Sequence, residues 1–473
     1  MNDATLSTSQ RMVLTVITCA LTCLLLSIGL GALGALYYIP KVGERMADVG
    51  LSLIQLRPLH TTFASAWIYM GCVACVYAYL GDQFGEPSKG ERLRFRLHMI
   101  LWGVAGLASL ITLLAGISSG REYLGFHPLI SIPILVGWVL FGFTFMRRVA
   151  SGFWGRPVYV YMWSVGVFFF VYTFLEGHAH LLPWVEARPV VDLQVQWKSC
   201  GTLVASFNQM VYGALTYFGE KKSDDKRIGQ SSTGFWLFGI GLLNSFTNFA
   251  HHTYHLPQSP LIKWIAFTVS MLEIILLLKL LQEITAALRA QARRRNRPLD
   301  LASRMVGLAK RWNCFLLTLA LLISVPQLNA LIHGTHVVMA HAMGSELALD
   351  SYILLGVFAW ILGEIFYKRE TLWGFIDSRA QHRTVSYLNF SLASLVALLV
   401  IAGLGVSFTR MYGQPAPTWL ESFPYLFVTF GGLVAIHLAR FVWTWVPLLR
   451  DPVRHRTWAE DLARLEGNAA GPE

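Results

Sequence analysis

The chain has 473 residues, 55% of them hydrophobic and only 14% charged, with a mean hydropathy of +0.50 and a formal net charge of +11. A soluble globular chain carries about 25% charged residues, so this composition excludes the ordinary soluble classes and points to the membrane. The positive balance calls for no nucleic-acid partner, because the Lys and Arg residues fall in short connections suited to anionic lipid headgroups.

A bilayer core takes roughly 20 apolar residues per helix. Such stretches occur at 12–37, 58–80, 97–117, 128–147, 157–176, 196–218, 233–252, 260–286, 312–332, 338–367, 385–409 and 423–447. They predict an all-α fold, a bundle of twelve transmembrane helices. Short connections leave no room for a soluble domain, so residues 1–473 read as a single transmembrane domain. Most positive charge follows every second stretch: Arg92/Arg94/Arg96, Arg147/Arg148, Lys221/Lys222/Lys226/Arg227, Arg289 to Arg297, and Lys368/Arg369. The positive-inside bias then places both termini in the cytoplasm, with tails at about 1–11 and 449–473. No cleaved signal segment is expected, since Met1 to Gln10 is polar and the apolar run after it is too long. Cys72 and Cys75 have a redox-motif spacing, but inside an apolar helix the pair reads as packing.

The fourteen histidines carry the strongest chemical signal. His98, His382 and His455 read as solvated or interfacial cytoplasmic residues, and His127 and His437 as structural. The remaining nine are His60, His178, His180, His251, His252, His255, His333, His336 and His341, all at or near the outer ends of the expected helices. A common depth is what a shared cofactor layer produces, and imidazole suits iron and copper. His251 and His252 are adjacent, so on a regular helix their side chains diverge by about 100° and reach one metal only where the helix distorts or ends. With His341 on a facing helix, the pair points to a heme iron beside a second metal. Glu273, in Ser270-Met-Leu-Glu273, places a carboxylate in mid-membrane, where it must ligate, pair or relay protons; a protonated, hydrogen-bonded structural glutamate is the other reading.

Taken together these motifs resemble the catalytic subunit I of the heme–copper oxidase superfamily, with its nitric oxide reductase and C-family (cbb-type) cytochrome c oxidase branches nearest. Arg57-Pro-Leu-His60-Thr resembles the motif of the first axial ligand of the low-spin heme. Asn248-Phe-Ala-His251-His252 resembles the paired histidines of the second metal. In His333-Gly-Thr-His336-Val-Val-Met-Ala-His341-Ala-Met343-Gly, the resemblance makes His341 the proximal ligand of the high-spin heme and sets His333 and His336 at the heme propionates. Gly120-Arg121-Glu122-Tyr123 resembles the reductases' outer loop, which implies calcium at Glu122, and the reductases place a glutamate where Glu273 stands, near their non-heme iron.

Three departures from the family pattern make the binuclear site atypical. Aligning Val195-Gln-Trp197 and Gly213-Ala-Leu-Thr-Tyr puts Gly201 where the family has a third metal-binding histidine, with Cys200, Asn208 and Gln209 as nearby polar substitutes. The reductases' helix-six glutamates correspond to Ala205 and Gln209, so Glu273 or Cys200 is left to complete the metal site. Met343 stands where the second low-spin ligand belongs; it either ligates, raising the heme potential, or simply packs. No tyrosine lies between Gly234 and His252, against the oxidases' redox tyrosine. His178 and His180 match no family ligand.

The resemblance implies an oxidoreductase with two b-type hemes and one non-heme iron or copper. Electrons would come from a membrane-anchored c-type cytochrome subunit, in a bacterial inner membrane, to reduce nitric oxide or a related small gas. A C-family oxidase reducing dioxygen is the alternative. A non-catalytic heme protein for electron transfer or gas binding is a third.

Overall fold

The computed structural model describes residues 6–254, 256–366 and 372–450. His255, Lys368, Arg369, His455 and nearly all of the 449–473 tail lie outside them, as do residues 1–5. Twelve long helices form among the described residues: α1 Thr8–Leu36, α2 Leu53–Phe84, α3 Lys89–Leu114, α4 Ser131–Val149, α5 Val158–Gly177, α6 Pro189–Ser223, α7 Ser232–Thr247, α8 Pro260–Arg294, α9 Leu301–Ser324, α10 His336–Phe366, α11 Arg379–Tyr412 and α12 Phe423–Trp443. Ten of them are long and apolar enough to cross a membrane. The other two, α6 and α7, stand where the sixth and seventh crossings are expected, but α6 carries a polar first half and α7 has only 16 residues.

Side-chain caps begin many of these helices. Ser7, Ser88, Ser231, Ser259, Asp300 and Ser378 each accept a hydrogen bond from a backbone N–H of the first turn that has no helical partner. The ninth expected span, 312–332, is corrected. α9 starts at Leu301, on the Asp300 cap, and stops at Ser324, because Pro326 disfavours the α conformation at Val325 and cannot continue the ladder.

α2 and α10 form the centre of the bundle, with 78% and 89% of their most apolar stretches buried, against 22% for α3 and 28% for α12 at its edge. Trp67 of α2 donates to the Ser351 hydroxyl of α10 at 3.0 Å, and its ring meets Phe358 edge-on. His98 is also corrected. Its neighbours Arg92, Arg94 and Arg96 read as a wet flank, yet its own side chain is fully buried against Trp102 and Phe141. Gly137 on α4 leaves the room, since a Cβ there would meet both Trp102 and His98.

Candidate heme and metal site

His60 lies in the second turn of α2, beside Ser27 and Gly31 of α1. Its Nδ1 is 2.8 Å from the Ser27 carbonyl oxygen, which can only accept, so Nδ1 carries the proton and Nε2 keeps a bare lone pair. Metal-binding histidines are held in this way by a backbone carbonyl on the far nitrogen. Gly31 allows the close approach: a Cβ there would stand 2.7 Å from Nδ1.

His251 and His252 follow α7 in a short turn, Phe249–His252, where the helix is ending. Their ring centroids are 4.3 Å apart, tilted by 37°, and His252 stacks on Trp197 of α6. A one-way hydrogen-bond chain fixes His251. Asn244 Nδ2 donates to Glu273 Oε2 at 2.6 Å, so its Oδ1 accepts from the Ser270 hydroxyl at 3.0 Å. With that hydrogen committed, Ser270 Oγ accepts from His251 Nδ1 at 3.2 Å. His251 Nε2 is left as a lone pair, the form that binds a metal. Glu273 is 3% exposed, and its other oxygen accepts from the Tyr212 hydroxyl at 3.0 Å and from Asn208 Nδ2 at 3.4 Å. Three donors on one carboxylate satisfy a group that would otherwise be costly to bury.

Gly201, the position of the absent helix-six histidine, is covered by Asn248. The Asn248 Nδ2 donates to the Gly201 carbonyl at 2.9 Å, and a Cβ on Gly201 would lie within contact range of the whole carboxamide. The Oδ1 of Asn248 is buried with no hydrogen-bond partner.

His341 closes the first helical turns of α10, within electrostatic reach of His251 and His252. Its Nδ1 is buried without a partner. Orphaning alone does not mark a ligand, since both ring nitrogens of His98 share it; His341 differs in belonging to a histidine cluster. Met343 packs against the core, and at two residues beyond His341 it projects about 200° around the helix, toward the opposite side. From Met343 to Asp350 the helix widens into π turns, a feature frequent at functional sites. Ser345 and Ser351 hydroxyls bond the carbonyls of His341 and Glu346 there.

The outer loop docks onto this widened turn. The Tyr123 hydroxyl donates to Glu346 Oε1 at 3.2 Å, with Tyr123 held at φ 59°. The charge of Glu346, and burial, push that hydroxyl well above the ordinary tyrosine range. Glu122, the expected calcium residue, pairs with Arg57 at 2.9 Å. Cys200 turns its Sγ to the Glu122 carbonyl at 3.8 Å, toward the loop. His336 stacks on Phe423 of α12, and the His333 carbonyl accepts from Arg410 of α11.

Among the described residues, no three His, Cys, Asp or Glu side chains converge as a metal site. The donors that fit are narrower: His60 and His341 for hemes, with the Met343 thioether two residues beyond His341, and for a second metal His251 and His252, which follow the orphaned Asn248 by three and four residues. His178 is structural, with Nε2 on Ser131 and Nδ1 on the Phe174 carbonyl; His180 bonds the Gly177 carbonyl. Sequence reasoning missed Asn244, Ser270 and Tyr212, which no local pattern marks. Glu346 and Asp350 also went unmarked, though a carboxylate within an apolar span carries the same signal as Glu273.

The family model for cytochrome c and quinol oxidase polypeptide I matches residues 11–435. The chain therefore belongs to that family, the heme–copper oxidase subunit I class of multi-pass membrane oxidoreductases, whose members bind hemes and a metal centre and work with other subunits. Among solved structures it is similar to one described as a heme-copper terminal oxidase dimer, with a TM-score of 0.70 at 13% identity, over 94% of this chain and 84% of that one. At that identity the likeness shows the fold. No curated protein matches the sequence.

Proposed function

We propose that this chain is a nitric oxide reductase-like respiratory subunit. His60 and Met343 would hold a low-spin b-type heme and His341 a high-spin b-type heme, with a membrane-anchored c-type cytochrome as the electron donor. The observation that carries this reading is the chain His251–Ser270–Asn244–Glu273, which presents an imidazole lone pair beside His341 and ends on a buried carboxylate. His251 and His252 would hold a non-heme iron or copper. When bound, the hemes and this metal supply electrons and paired sites for small gas molecules.

The protein's own residues do the positioning. Ser27 fixes His60, Ser270 fixes His251, and Trp197 sets the plane of His252. Reduction of a nitrogen oxide consumes protons, and Glu273, with Tyr212 and Asn244 orienting its carboxylate, is the buried group positioned to relay them. A calcium at Glu122 would share the carboxylate with Arg57. In this reading the chain sits in a bacterial inner membrane, and the positive-inside bias would leave both termini on the cytoplasmic side.

A dioxygen-reducing oxidase is the second reading, favoured by Tyr212, a buried helix-six tyrosine bonded to Glu273. Nitric oxide and dioxygen consumption by the purified, heme-loaded protein separates the two. Nitric oxide turnover without dioxygen turnover is expected. Steady reduction of dioxygen to water would replace the reductase reading with the oxidase one.

A further inference from the structure

We propose that the Asn248 carboxamide oxygen is the third protein donor of the second metal centre, making it a two-histidine, one-amide site for iron. The inference rests on the reading of His251 and His252 as metal ligands and adds the donor that reading lacks.

Gly201 has no side chain to offer, and the space a side chain would enter is taken: Asn248 Oδ1 lies 2.4 Å from where its Cβ would be. Asn248 is 3% exposed, and its Nδ2–H is committed to the Gly201 carbonyl. A carbonyl oxygen cannot donate, so this bond fixes which way the amide faces and leaves Oδ1 as a buried acceptor without a partner. Such an atom is costly in an apolar interior unless a cation or a donor satisfies it. Asn248 precedes His251 and His252 by three and four residues, the spacing that puts side chains on one face of a helical turn.

The other candidates are engaged elsewhere. Glu273 is held by Tyr212, Asn208 and Asn244, and Cys200 faces the Glu122 carbonyl. Two imidazoles with one oxygen donor match the donor pattern of two-histidine, one-carboxylate non-heme iron sites, with a neutral amide in place of the carboxylate.

The test measures non-heme iron and copper per heme in the purified full chain, with heme content and spectrum as the control for folding. Wild type is expected to hold one non-heme iron. Asn248→Leu removes the donor at similar volume and should lower metal retention at least tenfold while both heme signals persist; Asn248→Asp, which keeps an oxygen, should retain it. Gly201→Ala drives a methyl into the amide and should loosen the metal without replacing any proposed ligand. If Asn248→Leu fails to fold, Asn248→Ala carries the same comparison: metal lost while the hemes remain supports the assignment, and full retention overturns it. Full metal retention in Asn248→Leu overturns it, as does loss of metal from His255→Ala with Asn248→Leu unaffected. Absence of the hemes themselves would instead defeat the heme reading beneath it.

Discussion

Gly31→Ala tests the His60 assignment without altering the histidine. The added methyl would stand 2.7 Å from Nδ1 and 2.9 Å from Cε1 of the ring. An ordinary contact needs about 3.5 Å, so the imidazole must retreat by roughly 0.8 Å. The 2.8 Å bond from Nδ1 to the Ser27 carbonyl does not survive that movement. Losing a buried hydrogen bond costs about 1–3 kcal/mol. The helix propensity gained by replacing glycine acts on folding with or without heme, so it does not offset this cost. A loss of about 1 kcal/mol in heme binding is roughly fivefold in affinity. Gly34→Ala, one turn further along α1, is the internal control: its nearest neighbours, Leu53 and Leu56, lie at 3.8 Å, an ordinary contact. The assay is the reduced-minus-oxidised spectrum and heme content of both proteins. Gly31→Ala should shift or weaken the low-spin band while Gly34→Ala leaves it unchanged. Indistinguishable low-spin bands in the two variants would refute the argument that His60, held by Ser27, ligates that heme.

Ser270→Ala removes the acceptor that sets the tautomer of His251. The second metal should then dissociate about 10–100-fold more readily to a chelator, with heme spectra unchanged; equal retention would show that the relay does not orient a ligand. Met343→His should lower the low-spin potential, because a methionine ligand raises it, and a potential and band that do not move would mean that Met343 packs. The raised Tyr123 hydroxyl contributes stability that is complete below about pH 10, the ordinary tyrosine value, and is lost as the pH climbs toward the higher folded value. Thermal midpoints of wild type should therefore fall more steeply above that pH than those of Tyr123→Phe, and parallel curves would count against the Tyr123–Glu346 contact.

Much of the architecture was legible from local signals. A bilayer dictates the length of an apolar run, so the helix positions could be read one segment at a time. Where a local rule competed, the reading slipped. Pro326 ended α9 early, and the arginines flanking His98 concealed its burial. The histidine motifs were equally local, because His251 and His252 are adjacent and His341 lies in a short run with His333, His336 and Met343.

By itself, then, the sequence determined the membrane class, the helical bundle and the residue types available to bind hemes. The tertiary structure decided which of them are held ready. Ser27 meets His60 across 33 positions, Asn248 meets Gly201 across 47, and Tyr123 meets Glu346 across 223. Such pairs follow no periodicity, since they depend on which faces of distant helices pack together. A histidine's tautomer and an asparagine's free oxygen are set by those partners, and so is the chemistry the site can perform.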